Sequence, residues 1–202
     1  MEPASLSYDR LIAIHAPAGS GKSEVANHLI TTHGFTRVKF AGALKDMIRI
    51  LMIARGCPID LLPQYLEGTL KDVPTDYLDG SSPRRAMQTL GTEWGRAIMG
   101  YDFWLNSAVG EATRLLGQGR RVVIDDMRFM NEYHAVRTIG GQVWTVNRSA
   151  GPQALVQAHA SEGALPPDLA DIVIPNNFDL KCLRAEVDAA LDGAGFPIER
   201  RL

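Results

Sequence analysis

The chain has 202 residues, of which 46% are hydrophobic and 22% are charged, and its formal net charge at pH 7 is -2. This composition excludes an intrinsically disordered chain, and the near-neutral charge makes nucleic acid an unlikely partner. The sequence holds no apolar run long enough to cross a membrane, and Cys57 and Cys182 lie far apart without CxxC spacing. We therefore expect one cytoplasmic domain with reduced thiols, no membrane contact, and neither a disulfide framework nor a zinc site.

A predicted strand, a glycine-rich turn and a predicted helix follow one another near the start of the chain. The apolar run 11–14 precedes the turn, and a helical pattern at 24–32 follows it. The turn itself, which we call the glycine loop, is formed by residues 16–23: Ala16, Pro17, Ala18, Gly19, Ser20, Gly21, Lys22 and Ser23. A GK[ST] ending between a strand and a helix predicts a P-loop, which binds the phosphates of a nucleoside triphosphate.

Each part of the glycine loop has a predicted role. The segment 18–23 would bind the donor nucleotide, with the backbone N–H groups of 19–22 surrounding the β-phosphate at the N-terminus of the helix. Lys22 would bridge the β- and γ-phosphates, and the Ser23 hydroxyl would coordinate Mg²⁺. Ala16 stands where the strict pattern has glycine, which a small residue with negative φ tolerates. The alternative is a glycine turn with a solvated lysine.

The middle of the chain carries helical patterns and one loop-rich segment. A strand at 37–40 and a helix at 43–55 come first, and the Pro- and Gly-containing segment 56–82 predicts a peripheral insert of short helices and loops. Two further helices are expected at 83–99, with a Ser-Pro start that suits a cap, and at 102–116.

Two residue pairs in these helices are candidates for ligand contact. Arg85 and Gln88 lie three positions apart and therefore share a helix face, from which one could hold a phosphate and the other a base edge. An ordinary exposed helix face is the alternative. Trp94 and Trp104 could stack on a base, although tryptophans at helical spacing more often belong to a core.

The β-branched run 122–124 predicts a buried strand that ends in two carboxylates. Asp125 and Asp126 would lie at the carboxyl end of a central strand, where open α/β sheets bind ligands. We favour Asp125 as a Mg²⁺ ligand, with Asp126 or Arg128 facing an acceptor. Strands also end in Asp for turn formation, so the pair alone does not establish a metal site.

The remaining pattern alternates helix and strand. A helix at 131–139, strands at 142–146 and 172–174, and a last helix at 180–191 predict a three-layer α/β fold with a mostly parallel five-stranded sheet and helices on both faces. We expect a single domain with its core at 8–55 and 118–195, a helical insert at about 56–117 that binds the acceptor, and a lid at about 148–168.

Five segments, in order, resemble those of the bacteriophage deoxynucleoside monophosphate kinases, a family with a P-loop nucleoside monophosphate kinase-like fold. They are the glycine loop, the Arg-x-x-Gln-x-x-Gly-Thr-Glu string at 85–93, the segment 123–132, the segment 159–162 and the segment 171–176. The resemblance implies ATP and Mg²⁺ as cofactors, a deoxynucleoside monophosphate as acceptor, and location in the host cytoplasm if a phage encodes the chain.

The resemblance also implies roles for individual residues. Asn176 would lie near the adenine of ATP, and the catalytic group would comprise Lys22, Asp125, Arg128 and Arg148. Substrate contacts would come from Lys45, Arg85, Gln88, Thr92, Asp126, Arg128 and Glu162, and a homodimer is possible.

Two departures from the family pattern affect these implications. Gly42 stands where relatives commonly have Asp, so a carboxylate expected near the acceptor is absent and base or sugar preference does not carry over. The segment 149–168 contains no Arg or Lys. Our hypothesis is that Lys22, Arg128 and Arg148 stabilise the transition state while the lid mainly excludes water.

Two other functions remain open at the level of sequence. One is a P-loop kinase that acts on a modified base in phage DNA or on another small metabolite. The other is a nucleotide-dependent switch that hydrolyses ATP without a small acceptor.

Overall fold

The computed structural model describes residues 10–17, 19–148 and 165–193. Ala18, Glu162 and most of the segment expected as a lid lie outside the described residues. Within the described ranges, no helix combines the length and the apolar character that crossing a membrane requires.

A five-stranded parallel sheet forms the centre of the fold, as predicted. Its strands are β1 (Leu11–His15), β2 (Thr36–Val38), β3 (Val122–Ile124), β4 (Gln142–Asn147) and β5 (Ile172–Pro175). They lie in the order β2-β3-β1-β4-β5, and every pairing is parallel. Because β3 and β4 both pair with β1, the residues that follow β1 and β3 emerge at the same edge of the sheet.

Helices cover both faces of this sheet, which confirms the three-layer α/β architecture. On one face, α1 (Lys22–His33) and α7 (Leu180–Gly193) bury side chains such as Leu29 and Val187 against strand residues that include Trp144. On the other face, α6 (Met130–Thr138) approaches so closely that a Cβ on Gly141 would lie 2.6 Å from Val136 Cγ1 and 2.7 Å from a methyl carbon of Leu11.

The chain divides into two compact units, and residues 40–108 form the smaller one. We call it unit 2, and the described parts of 1–39 and 109–202 form unit 1. The boundaries differ from the expected insert at 56–117. Unit 2 includes α2 (Gly42–Ala54), because its buried Leu44, Ile48 and Met52 pack with residues of the following segments rather than with the sheet.

Short helices make up the rest of unit 2, as the Pro- and Gly-containing sequence predicts. They are α3 (Leu62–Leu66), α4 (Pro83–Thr89) and 3₁₀ turns at Ile59–Leu61, Thr69–Asp72 and Asp76–Leu78. The predicted cap of α4 is present, since the Ser82 hydroxyl accepts a hydrogen bond from the Arg85 N–H at 3.3 Å. The next helix, α5 (Phe103–Gly117), begins in unit 2 and ends in unit 1.

The predicted single helix at 83–99 changes type halfway. The α-helical part ends at Thr89, and Leu90–Met99 is a π-helix. The indole N–H of Trp104 donates to the Gly91 carbonyl at 3.0 Å, and a Cβ at Gly95 would overlap the same indole. The π-helical turn thus accommodates a tryptophan that belongs to the unit 2 core, where the side chain is 7% exposed.

Candidate functional site

The glycine loop has the backbone geometry that anion binding requires. Gly19 and Gly21 have φ angles of +76° and +101°, which favour glycine, and α1 begins at Lys22 directly after them. The Gly21 carbonyl accepts from the N–H groups of Glu24 and Val25 and so starts the helix. The first N–H groups of an α-helix have no acceptor within the helix, so this end of α1 presents donors to an anion.

The side chains of the loop differ in their contacts and burial. Lys22 Nζ donates to the carbonyl oxygens of Ala16 at 3.2 Å and Pro17 at 3.3 Å, which holds the ammonium at the loop. Ser23 is exposed. Ser20 is buried, and its hydroxyl makes no hydrogen bond with any residue that the structure describes.

Two residues that directly follow β4 and β5 bind the backbone of the loop. Asn176 Nδ2 donates to the Ser20 carbonyl at 2.8 Å, and a Cβ at Gly21 would overlap that same nitrogen. Arg148 Nη1 donates to the Gly19 carbonyl at 3.3 Å. The structure therefore places the Asn176 side chain against the backbone of the glycine loop, and its role near adenine stays a prediction.

Asp125 follows β3 at the same edge of the sheet as the loop. Its side chain is 6% exposed, and Oδ2 lies 3.2 Å from Arg37 Nε. Oδ1 is buried and accepts no hydrogen bond from the described part of the chain. Sequence reasoning missed Arg37, because only the pairing of β2 with β3, with Arg37 opposite Val123, brings it to this carboxylate.

The donor chemistry of this edge fits Mg²⁺. Magnesium prefers oxygen ligands and is usually held by one or two protein oxygens together with substrate phosphates. Asp125 Oδ1 has an open acceptor position while Oδ2 faces a guanidinium, and Ser23 offers an exposed hydroxyl. The residues predicted to hold the metal are therefore of the right type.

A buried glutamate orders the turn that carries Arg128. Glu132 is 5% exposed, and its Oε2 accepts from the N–H groups of Arg128 at 2.6 Å and Phe129 at 3.1 Å. These bonds fix the backbone between Asp126, which is half-buried, and the start of α6, while the Arg128 side chain stays exposed. Sequence reasoning gave Glu132 no role, although an acidic residue in a first helical turn is a recognised capping signal.

Unit 2 contains a cavity of about 720 Å³, a size typical of small-molecule sites. Arg85 and Gln88 both line it, which confirms that they share a face. Lys45 and Thr92 are not among the lining residues. Instead, Lys45 Nζ pairs with Glu67 Oε1 at 2.7 Å. The site roles predicted for Lys45 and Thr92 therefore gain no support from this cavity.

The rest of the cavity wall combines charge with aromatic surface. Arg55 forms an ion pair with Asp79, with Nη1 and Oδ2 3.3 Å apart, and Glu93 adds a second carboxylate. Trp94 also lines the cavity and packs edge-on against Phe103 at a ring-centroid distance of 5.4 Å. Trp94 is thus available to a ligand, whereas Trp104 is a core residue.

The chain is similar to known kinases in sequence and in fold. A family model described as deoxynucleotide monophosphate kinase matches residues 62–187. A protein of Acanthamoeba polyphaga mimivirus, provisionally named a deoxynucleotide monophosphate kinase, is 28% identical over 201 residues, covering 91% of this chain and 97% of the relative. The match at 62–187 includes Arg85, Gln88, Asp125 and Asn176, while the glycine loop precedes it.

Solved structures show the same fold at low identity. The dephospho-CoA kinase from Campylobacter jejuni aligns with a TM-score of 0.53 and 12% identity, over 94% of this chain and 98% of that chain. A protein from Chloroflexus aurantiacus, provisionally described as a kinase, aligns with a TM-score of 0.50 and 12% identity, over 93% and 98%. At such identity the likeness concerns the fold alone.

Proposed function

Because the chain belongs to the deoxynucleotide monophosphate kinase family, we propose that it transfers the γ-phosphoryl group of ATP to a deoxynucleoside 5′-monophosphate, forming ADP and a deoxynucleoside diphosphate. The observation that carries this proposal is a cavity of nucleotide size whose wall contains both Arg85 and Gln88. A monophosphate acceptor needs a cation for its phosphate and a directional donor and acceptor for its base, and this pair supplies both.

The donor nucleotide would bind at the glycine loop. The N–H groups at the start of α1 and the Lys22 ammonium would bind its phosphates, with Lys22 exchanging its two carbonyl acceptors for phosphate oxygens. Arg148, already bound to the Gly19 carbonyl, would add positive charge, and Asn176 would keep the loop in its binding conformation. Magnesium, when bound by Ser23 and Asp125, would neutralise charge on the β- and γ-phosphates.

The acceptor would bind in the unit 2 cavity. Arg85 would form a two-point contact with the 5′-phosphate, Gln88 would bond a base edge, and Trp94 would offer an apolar face to the base. An acceptor phosphate oxygen is anionic at neutral pH, so the reaction needs no general base from the protein. Charge stabilisation and positioning by Lys22, Arg128 and Arg148 would supply the rate enhancement. Roles for Asp126 and Glu162 at the acceptor remain proposals from the resemblance.

The test is ADP release from ATP against a panel of deoxynucleoside and ribonucleoside monophosphates, with single-stranded DNA and no acceptor as controls. Arg85→Gln should raise the KM for the monophosphate by about 30-fold or more, since a charged two-point hydrogen bond of about 2–3 kcal/mol is lost, and should leave the KM for ATP within about twofold. Arg84→Gln is the matched control, because Arg84 is exposed and pairs with Asp72 outside the cavity.

Three results would contradict the proposal. ADP release that ignores the monophosphate panel would favour a nucleotide-dependent switch. Activity on single-stranded DNA alone would favour a kinase for modified DNA bases. Equal effects of Arg84→Gln and Arg85→Gln on the KM for the monophosphate would show that the acceptor does not bind in the cavity.

A further inference from the structure

Two histidines and one aspartate meet in unit 1 between α1 and α7. His28 Nε2 and His33 Nε2 each lie 2.7 Å from the same oxygen, Asp188 Oδ1. The two imidazoles are edge to face, with ring centroids 5.2 Å apart. Neither the kinase chemistry nor the glycine loop uses these groups, although α1 begins at that loop.

The three atoms lie close enough for small side-chain rotations to bring them around a transition metal. All lie within 4.8 Å of one another, so the two nitrogens would approach each other by at most about 1.5 Å to reach tetrahedral spacing. In a tetrahedral zinc site with bonds of about 2.0–2.1 Å, neighbouring ligand atoms are about 3.3 Å apart. The nitrogen–oxygen distances here would therefore open by only about 0.6 Å around a central ion.

The surroundings of the cluster also suit a bound ion. The side chains of His28 and His33 are 9% and 4% exposed, whereas Asp188 is 45% exposed and gives access from solvent. A water molecule at that open side would complete four-coordination. Thr32 Oγ1 lies 3.1 Å from His28 Nδ1 and can accept a hydrogen bond from Nδ1–H. In that tautomer the Nε2 lone pair is available to the metal, as outer-shell partners of ligating histidines arrange.

Without a metal, the two histidines bind the carboxylate by hydrogen bonds. Burial acts to raise the pKa of Asp188, but hydrogen bonds from His28 and His33 outweigh it, and the pKa lies below its usual value. A metal ion would replace these hydrogen bonds, because each Nε2 binds a metal only without its proton.

We propose that His28, His33 and Asp188 form a site for a divalent transition metal, with Zn²⁺ as the best match, that links the C-terminal end of α1 to α7. Two nitrogen donors and one carboxylate favour Zn²⁺, Cu²⁺ or Ni²⁺ over Mg²⁺ or Ca²⁺. The sequence lacks grouped cysteines and for that reason indicates no zinc site. That argument does not apply to a site built from two histidines of one helix and an aspartate of another.

The test is a titration of the full-length, metal-free protein with Zn²⁺ in the presence of excess Mg²⁺, which occupies oxygen-donor sites, and without nucleotide. We expect one Zn²⁺ per chain, and a rise in Tm of about 5 °C or more when free Zn²⁺ exceeds Kd a hundredfold. His33→Gln and Asp188→Asn should each weaken binding by about a hundredfold. His134→Gln, an exposed histidine on α6, is the matched control and should bind as the unmodified protein does.

Circular dichroism of each variant without metal separates lost binding from lost folding. If a variant does not fold, the other variant and the Co²⁺ spectrum of the unmodified protein, which is intense only in four-coordinate sites, decide the question. Failure to bind Zn²⁺, or equal binding by all four proteins, would overturn the proposal and leave the cluster as a hydrogen-bonded link. Neither result depends on kinase activity.

Discussion

The glycine loop of unit 1 and the cavity of unit 2 are formed by different chemical groups. The loop consists of backbone groups in glycine-specific conformations, held by Asn176 and Arg148. The cavity wall consists of side chains on short helices, among them the ion pair of Arg55 with Asp79. Phosphates are common to all nucleotides and bases are not, so under the proposed function the loop would bind any nucleotide phosphate, whereas the cavity would discriminate between bases.

The largest effect should come from removing the only charged side chain of the glycine loop. Lys22→Ala should lower kcat/KM by about 10³-fold, because the charge that develops on the transferred group loses an electrostatic partner worth roughly 4 kcal/mol. Steady-state ADP release measures this, with Lys181→Ala, an exposed lysine on α7, as the control. A loss under about tenfold would place the donor phosphates elsewhere.

The next effect concerns the backbone of the loop. Gly21→Ala combines a φ of +101° with overlap between the new Cβ and Asn176 Nδ2, so the loop must shift and the KM for ATP should rise by about tenfold or more. Gly34→Ala places a Cβ at a φ of +72° with no described atom within 4 Å. It therefore carries the backbone strain without the overlap. Equal KM values for the two variants would show that contact with Asn176 does not hold the loop.

A smaller effect should appear in selectivity. Gln88→Ala in the cavity should change the ratio of kcat/KM between the best and worst monophosphates by about tenfold, since a lost base-edge hydrogen bond is worth about 1–2 kcal/mol. The activity panel measures the ratio. An equal decrease in kcat/KM for every base would mean that Gln88 stabilises the helix and does not contact the base. The cavity would then not differ from the glycine loop in selectivity.

The smallest effect concerns the contacts of Asp188 with His28 and His33, and whether they stabilise unit 1. The folded-state pKa of Asp188 is depressed, so its contribution to the free energy of unfolding exists above the unfolded pKa of about 3.9 and is lost as pH falls through the folded value. With a chelator present, Asp188→Asn should lower stability at pH 7 by about 1 kcal/mol or less, given its solvent exposure. Denaturant unfolding should show the two proteins converging below about pH 4. A constant difference would contradict the linkage.

Local patterns predict the parts of the molecule whose structure depends on neighbours in sequence. The strand before the glycine loop, the loop itself and the Ser82 cap all follow from short-range chemistry. The π-helix could not be predicted, because it depends on an indole that reaches Gly91 from 13 residues away. Arg37 beside Asp125 depends on strand pairing, and the boundary at residue 40 depends on where the apolar face of α2 packs.

The π-helix at Leu90–Met99 contributes Glu93 and Trp94 to the cavity wall. Each residue in an α-helix turns the chain by about 100°, so deleting one residue between Gln88 and Glu93 would rotate Glu93 and Trp94 by about that angle relative to Arg85 and Gln88. Arg85 and Gln88 would keep their places in the cavity wall, while Glu93 and Trp94 would be replaced there by other side chains of the same helix. A single-codon deletion could thus alter base preference in one step, without any substitution in the wall itself.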